Sequence, residues 1–117
     1  MIGGGGEMKT LRLLARYGDA GNLFAGPQAG PAAVKAKLDV LADHCEREAT
    51  DVARIRKTIL WVGPLNADSH GGAAFVEQMR TYADIGVEEV HVMPFGDDPV
   101  GFIHALGEHV IASLANV

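Results

Sequence analysis

Lys57-Thr58-Ile59-Leu60-Trp61-Val62 is the stretch that decides the fold. It is short, apolar and rich in β-branched and aromatic side chains, and Gly63-Pro64 closes it. A run of this kind between breakers reads as a buried strand. Upstream of it, Gly30-Pro31 opens a helix, because proline is favoured in the first turn. From Ala32 to Glu48 that helix puts Val34, Leu38, Leu41, Ala42 and Cys45 on one stripe. Downstream, Gly63 to Gly72 is polar and glycine-rich and reads as a loop. Ala73 to Ile85 then reads as a helix with Phe75, Met79 and Tyr82 inward, closed by Gly86.

The same alternation extends to both ends. Val90-His91-Val92-Met93 reads as a second strand, ended by Pro94 and Gly96. Asp97 or Asp98 caps a last helix with Pro99 in its first turn. Its expected buried stripe is Val100, Ile103, Leu106, Val110, Ile111 and Leu114. Towards the start, Glu7 to Tyr17 reads as a helix with Leu11, Leu14 and Ala15 on one face. Lys9, Arg12 and Arg16 face water, and Gly18 stops the helix. A short extended piece, Gly21 to Phe24, follows, and Ile2 is a stub strand.

The order is therefore βαβαβαβα, which implies a parallel sheet with right-handed crossovers. A faint repeat supports it. Tyr17-Gly18-Asp19-Ala20-Gly21 and Tyr82-Ala83-Asp84-Ile85-Gly86 share Tyr-x-Asp-x-Gly, each joining a helix to a strand. The interval between them equals two βα units of about thirty residues each. Repetition of one unit suits a (β/α) barrel better than an irregular α+β fold.

Composition bounds the function. The chain has 117 residues, which is the size of one domain, residues 1–117. Its net charge of −5, with no basic block, argues against nucleic acid as a partner. The lone Cys45 forms no internal disulfide, so no oxidising compartment is implied. The start lacks the basic and apolar regions of a signal peptide, and no apolar run is long enough to span a bilayer. The expectation is a soluble cytoplasmic protein without membrane contact.

The strongest local feature is the tetraglycine Gly3 to Gly6, between an apolar residue and a helix. Glycines there allow positive φ and close approach of a ligand to the backbone. The N–H groups and dipole of a helix start favour an anion, and a phosphate is the natural one. Lys9 and Thr10, in the first turn, offer an ammonium and a hydroxyl. A glycine run at a terminus also reads as a plain linker.

The other reactive residues read more simply. His44 and Cys45 are helix neighbours, and His104 and His109 are five apart, so neither pair has chelate spacing. His70 lies in the expected loop, and His91 sits inside an expected strand. No metal site is expected. Cys45 and Trp61 read as core, although an aromatic at a strand end can also border a flavin. Neither Ser69 nor Ser113 lies in a nucleophile turn, and Asp97-Asp98 reads as a cap.

Ile2-Gly3-Gly4-Gly5-Gly6-Glu7-Met8-Lys9-Thr10-Leu11-Arg12, followed by Ala15-Arg16-Tyr17-Gly18-Asp19-Ala20-Gly21-Asn22, resembles the luciferase-like monooxygenase superfamily. It is most similar to the oxidoreductase branch that uses the deazaflavin coenzyme F420. Lys37 to Leu41 with His44-Cys45, Ile55 to Thr58, and Tyr82 to Val87 with Val90 are also similar. The resemblance implies a partial (β/α)8 barrel, a TIM barrel of about four βα units, matching strands five to eight. It implies the C-terminal half of a flavin- or deazaflavin-dependent oxidoreductase, with F420 as cofactor and FMN as the alternative. It assigns the cofactor phosphate to the backbone of Gly4, Gly5 and Gly6, with Thr10 beside them. It assigns no catalytic residue, because the family places those on the earlier strands. The stretch from Val62 to Phe75 is also shorter than in many members.

Four parallel strands do not close a barrel, and an open sheet has two unpaired edges. Interior residues around Leu23, Leu60 and Val92 are then expected to meet water. Two copies pairing into a homo-oligomeric, two-fold barrel, or association with a missing N-terminal half-barrel, would cover them. A non-catalytic half-barrel remnant or assembly partner is the second functional reading. A flavodoxin-like nucleotide module is the third, though the glycine run has neither common nucleotide fingerprint.

Overall fold

The computed structural model describes residues 2–4, 6, 8–27, 30–63, 65, 69–93 and 97–114, with only the backbone of 69 and 70. Along the chain run β1 (Ile2–Gly3), α1 (Thr10–Tyr17), β2 (Ala20–Ala25), α2 (Pro31–Arg47), β3 (Arg56–Trp61), α3 (Ser69–Ala83), β4 (Glu89–His91) and α4 (Pro99–Leu106). A 3₁₀ turn, Val52–Arg54, precedes β3, and a π turn, Gly107–Ile111, leads from α4 to the short α5 (Ala112–Leu114). The four strands lie in the order β1-β2-β3-β4, every pair parallel. This is the βα alternation read from the sequence.

Register sorts the strand residues by face. Leu23, Ile59 and Val90 are partners in one row, and Phe24, Leu60 and His91 in the next. The Leu23 row faces the helices. Leu23 and Ile59 are buried with Leu11 and Leu14 of α1 and Leu38 and Leu41 of α2. Further along β3, Trp61 packs edge-on against Phe75 and Tyr82 of α3, with ring centroids 5.6 and 6.2 Å apart. The Phe24 row has no helix over it, and Phe24 is 60% exposed. The expectation for Leu23 is therefore corrected: strand alternation turns it into the core, and Leu60 alone of that pair lies on the open face.

Two helix starts differ from the sequence reading. α1 begins at Thr10 and not at Glu7, with Lys9 as its N-cap. α3 begins at Ser69, so His70 stands in a helical turn and not in a loop. The glycine pair Gly71-Gly72 signals a loop, but packing requires Gly72. A Cβ there would stand 3.0 Å from His109 Cβ.

The last helix also turns its faces differently. Val100, Ile103 and Ile111 are 64, 54 and 60% exposed, whereas Leu106 and Val110 are buried. Phe102, Ala105 and Leu114 pack beside the buried pair. The inward positions run four apart, at 102, 106, 110 and 114, a stripe that starts within α4 before the π turn of Gly107–Ile111. Asp98 is the cap, its Oδ1 accepting from Gly101 N at 3.0 Å. The two Tyr-x-Asp-x-Gly motifs each lie at a helix-to-strand junction, but their residues are not equivalent. Tyr17 is exposed and Tyr82 is core, while Gly21 lies in a strand and Gly86 in a turn at φ +103°.

Candidate cofactor-binding site

The glycine turn leaves the C-terminal end of β1, where the sheet's parallel strands all point. Gly4 N–H donates to Asn22 O at 3.0 Å, which continues the β1–β2 pairing one residue past the strand. Gly4 then takes φ +104°, a conformation L side chains rarely adopt. Gly5 lies outside the described residues. Gly6 returns towards α1, and its carbonyl accepts from Leu11 N at 2.9 Å. A Cβ on Gly6 would meet Thr10 Oγ1 at 2.9 Å, so a side chain there would push the Thr10 hydroxyl out of its place beside the turn. Of the residues expected to hold a phosphate, the structure brings Gly4, Gly6 and Thr10 together.

The electrostatics of this corner suit an anion. The first turn of α1 has no acidic residue, and Lys9 makes no side-chain cap bond to it. The helix dipole and the cations Lys9 and Arg12 act in the same direction. A helix start of this kind, without a capping carboxylate, has backbone donors for phosphate oxygens.

Beside the turn lies the open face of the sheet. The buried Thr58 hydroxyl donates to Gly21 O at 2.9 Å and lies 2.8 Å from Asn22 Oδ1. His91 Nε2 is 2.9 Å from Glu89 Oε1, an ion pair whenever the imidazole is protonated. The ring is not angled to make this a hydrogen bond, and Nε2 has no such partner among the described residues. Arg56 Nη1 reaches within 3.9 Å of the other Glu89 oxygen. Asn22, Thr58, Arg56 and Glu89 were not singled out from the sequence. Their signal is polarity at alternate strand positions, matched across register partners.

The remaining candidates resolve into structure. Cys45 is 1% exposed and Trp61 4%, both inside the helix-facing core. His44 is buried on α2. Among the described residues, no group of three or more His, Cys, Asp or Glu side chains is placed to hold a metal ion. No helix among them is long and apolar enough to cross a membrane.

No protein-family profile matches the chain, and no curated protein does. Among solved structures, it is similar to coenzyme F420-dependent tetrahydromethanopterin reductase from Methanopyrus kandleri, with TM-score 0.74 and 11% identity. The match covers 96% of this chain and 50% of that one, so the chain spans about half the length of this structural relative. At such identity the likeness is one of fold: four βα units of the (β/α)8 barrel type.

Proposed function

We propose that the chain is the C-terminal part, strands five to eight, of a luciferase-like oxidoreductase that uses a flavin or deazaflavin. The turn of Gly4, Gly5 and Gly6 holds the cofactor phosphate, with Thr10 adding a hydroxyl. The observation that carries this reading is the pairing of Gly4 at φ +104° with the Gly6–Thr10 contact at the start of α1. The fold likeness to an F420-dependent enzyme supports F420 as the first cofactor to test, with FMN as the alternative. When bound, such a cofactor supplies hydride chemistry, and the protein's task is to bind and orient it. On this reading the backbone donors of the turn fix the phosphate end. The open sheet face, with Phe24, Leu60 and His91, borders the space beyond it. No residue of the chain is assigned to the chemical step. A cytoplasmic location goes with this reading.

The second reading, a non-catalytic half-barrel remnant or assembly partner, draws on the half-length match. Fluorescence titration with F420 and with FMN separates the two. The first reading expects saturable binding that Gly6→Val and Thr10→Ala weaken and that inorganic phosphate competes. A chain that folds, as judged by circular dichroism, yet binds neither cofactor overturns it.

A further inference from the structure

We propose that His91 receives the ring end of the bound cofactor. Its Nδ1 accepts a hydrogen bond from the ring's N–H, while Glu89 fixes the tautomer of the imidazole. The inference rests on the proposed use of a flavin or deazaflavin and extends it to the other end of the ligand.

His91 ends β4 and shares a register row with Leu60 and Phe24, on the face that no helix covers. Barrel enzymes bind their ligands at the C-terminal ends of the strands. Two members of this last row are apolar, so among the three His91 alone offers a polar side-chain atom. An apolar floor with one polar group at its end suits a flat heterocycle, covering a face and fixing an edge. The glycine turn leaves β1, and β4 lies three strands further along the sheet, roughly 14 Å at the usual strand spacing. A ligand with its phosphate in the turn therefore meets His91 with a part remote from that phosphate.

The state of the imidazole follows from its neighbour. His91 Nε2 lies 2.9 Å from Glu89 Oε1. It is shut off from water and has no hydrogen-bond partner among the described residues. Two unprotonated acceptors at that distance repel, and a buried nitrogen without a partner is destabilising. A proton on Nε2 removes both problems, because a small rotation of the ring lets Nε2–H donate to Oε1. Glu89 is itself braced, its other oxygen lying 3.9 Å from Arg56 Nη1. The neutral imidazole then keeps its one lone pair on Nδ1. The side chain is 41% exposed although Nε2 is buried, so its accessible surface lies on its other atoms. An acceptor on that side selects a donor. Flavins and deazaflavins both carry a ring N–H between two carbonyls, so one contact serves F420 and FMN alike.

The test compares F420, FMN and riboflavin, which has the ring of FMN without its phosphate. Fluorescence titrations are run at about pH 8, where an ordinary imidazole is neutral. His91→Phe keeps a flat ring and removes the acceptor, whereas His91→Asn keeps an oxygen near the position of Nδ1. His91→Phe is expected to weaken all three ligands about fivefold, the worth of one neutral hydrogen bond. His91→Asn is expected to restore most of that loss. Long-range proton–nitrogen NMR on the labelled chain is expected to show the Nε2–H tautomer at His91 without ligand, and a shift of its Nδ1 resonance when FMN is added. Glu89→Gln, which keeps an acceptor, is expected to preserve the tautomer, and Glu89→Ala to mix it.

An Nδ1–H tautomer at His91 overturns the proposal. So does FMN binding that leaves both the Nδ1 resonance and the His91→Phe affinity unchanged. Gly6→Val separates this inference from the phosphate reading, since only ligands with a phosphate sense the turn. FMN binding that depends on Gly6 and not on His91 keeps the phosphate reading and overturns this one. Equal dependence of FMN and riboflavin on His91, with none on Gly6, does the reverse. A folded chain that binds none of the three overturns both.

Discussion

Gly72 of α3 faces His109 of the π turn so closely that a Cβ on Gly72 would stand 3.0 Å from His109 Cβ and 3.2 Å from its carbonyl oxygen. The obstacle is partly backbone, so it does not swing aside. Alanine ordinarily stabilises a helix interior over glycine by about 1 kcal/mol. Overpacking costs about 1–3 kcal/mol. Gly72→Ala is therefore expected to lower stability despite the better helix former. Gly107→Ala serves as the control, since its Cβ would meet nothing within 4 Å. It is expected to gain up to about 1 kcal/mol. Urea unfolding of the two variants checks both signs, and a gain at Gly72 would refute the packing argument.

That contact also explains where the sequence misleads. Local propensity at Gly71-Gly72 signals a loop, whereas the requirement at Gly72 comes from a residue far away in the chain. The strands and helices were legible because their periodicity is local. Leu11, Leu14, Val34, Leu38, Leu41, Phe75, Met79 and Tyr82 all lie on the inward faces that spacing assigns. The stripe on α4 is not legible from spacing alone, because a nearly all-apolar helix offers more than one stripe; Val100, Ile103 and Ile111 face outward while Phe102, Leu106 and Val110 face the core. Leu23 was misplaced because β2 is too short for its facing to be read without register.

At the glycine turn, Gly6 and Thr10 are coupled by the 2.9 Å approach of a Gly6 Cβ to Thr10 Oγ1. Gly6→Ala is expected to weaken F420 binding severalfold by displacing the hydroxyl. In a Thr10→Ala background the same change is expected to cost little more, since the clashing atom is gone. Gly4→Ala has no such remedy, because its φ of +104° strains any side chain, by at least about 1 kcal/mol. Titration of the four combinations at Gly6 and Thr10 gives the coupling, and strict additivity would dissolve it.

Trp61 joins β3 to α3 through its edge-on contacts with Phe75 and Tyr82. Trp61→Ala removes the largest side chain of that layer and is expected to cost about 3–5 kcal/mol. Trp61→Phe keeps an aromatic ring for Phe75 and is expected to cost less. Tryptophan fluorescence cannot follow these variants, because Trp61 is the chain's one tryptophan. Far-ultraviolet circular dichroism during thermal unfolding can, and equal losses for both variants would mean the ring contacts contribute nothing specific.

The glycine run at 3–6 is visible in the sequence, but the same run reads equally as a linker, and only the backbone of Gly4 and the closeness of Gly6 to Thr10 give it a defined shape. The polar members of the open face are not legible in the sequence. Thr58 and Glu89 are register partners, yet they are far apart in the chain, and only the β3–β4 pairing brings them level. The Glu89–His91 contact lies within one strand and is within reach of the sequence, since residues two apart share a face.

Tyr82 gives the chain an alkaline limit. Burial against Trp61 disfavours the phenolate, which raises its pKa above the ordinary value of 10.0. The unfolded phenol ionises near that value, whereas the folded one keeps its proton to higher pH. Between the two, the unfolded state binds fewer protons than the folded state, so stability falls as pH rises. Below that window Tyr82 contributes no pH dependence. Lysines and Tyr17 also titrate there, so the readout is the difference between wild type and Tyr82→Phe. Urea midpoints are expected to decline more steeply above pH 10.0 for the wild type, with the gap constant below it. Parallel declines would mean that the Tyr82 phenol is as well solvated in the folded chain as in the unfolded one.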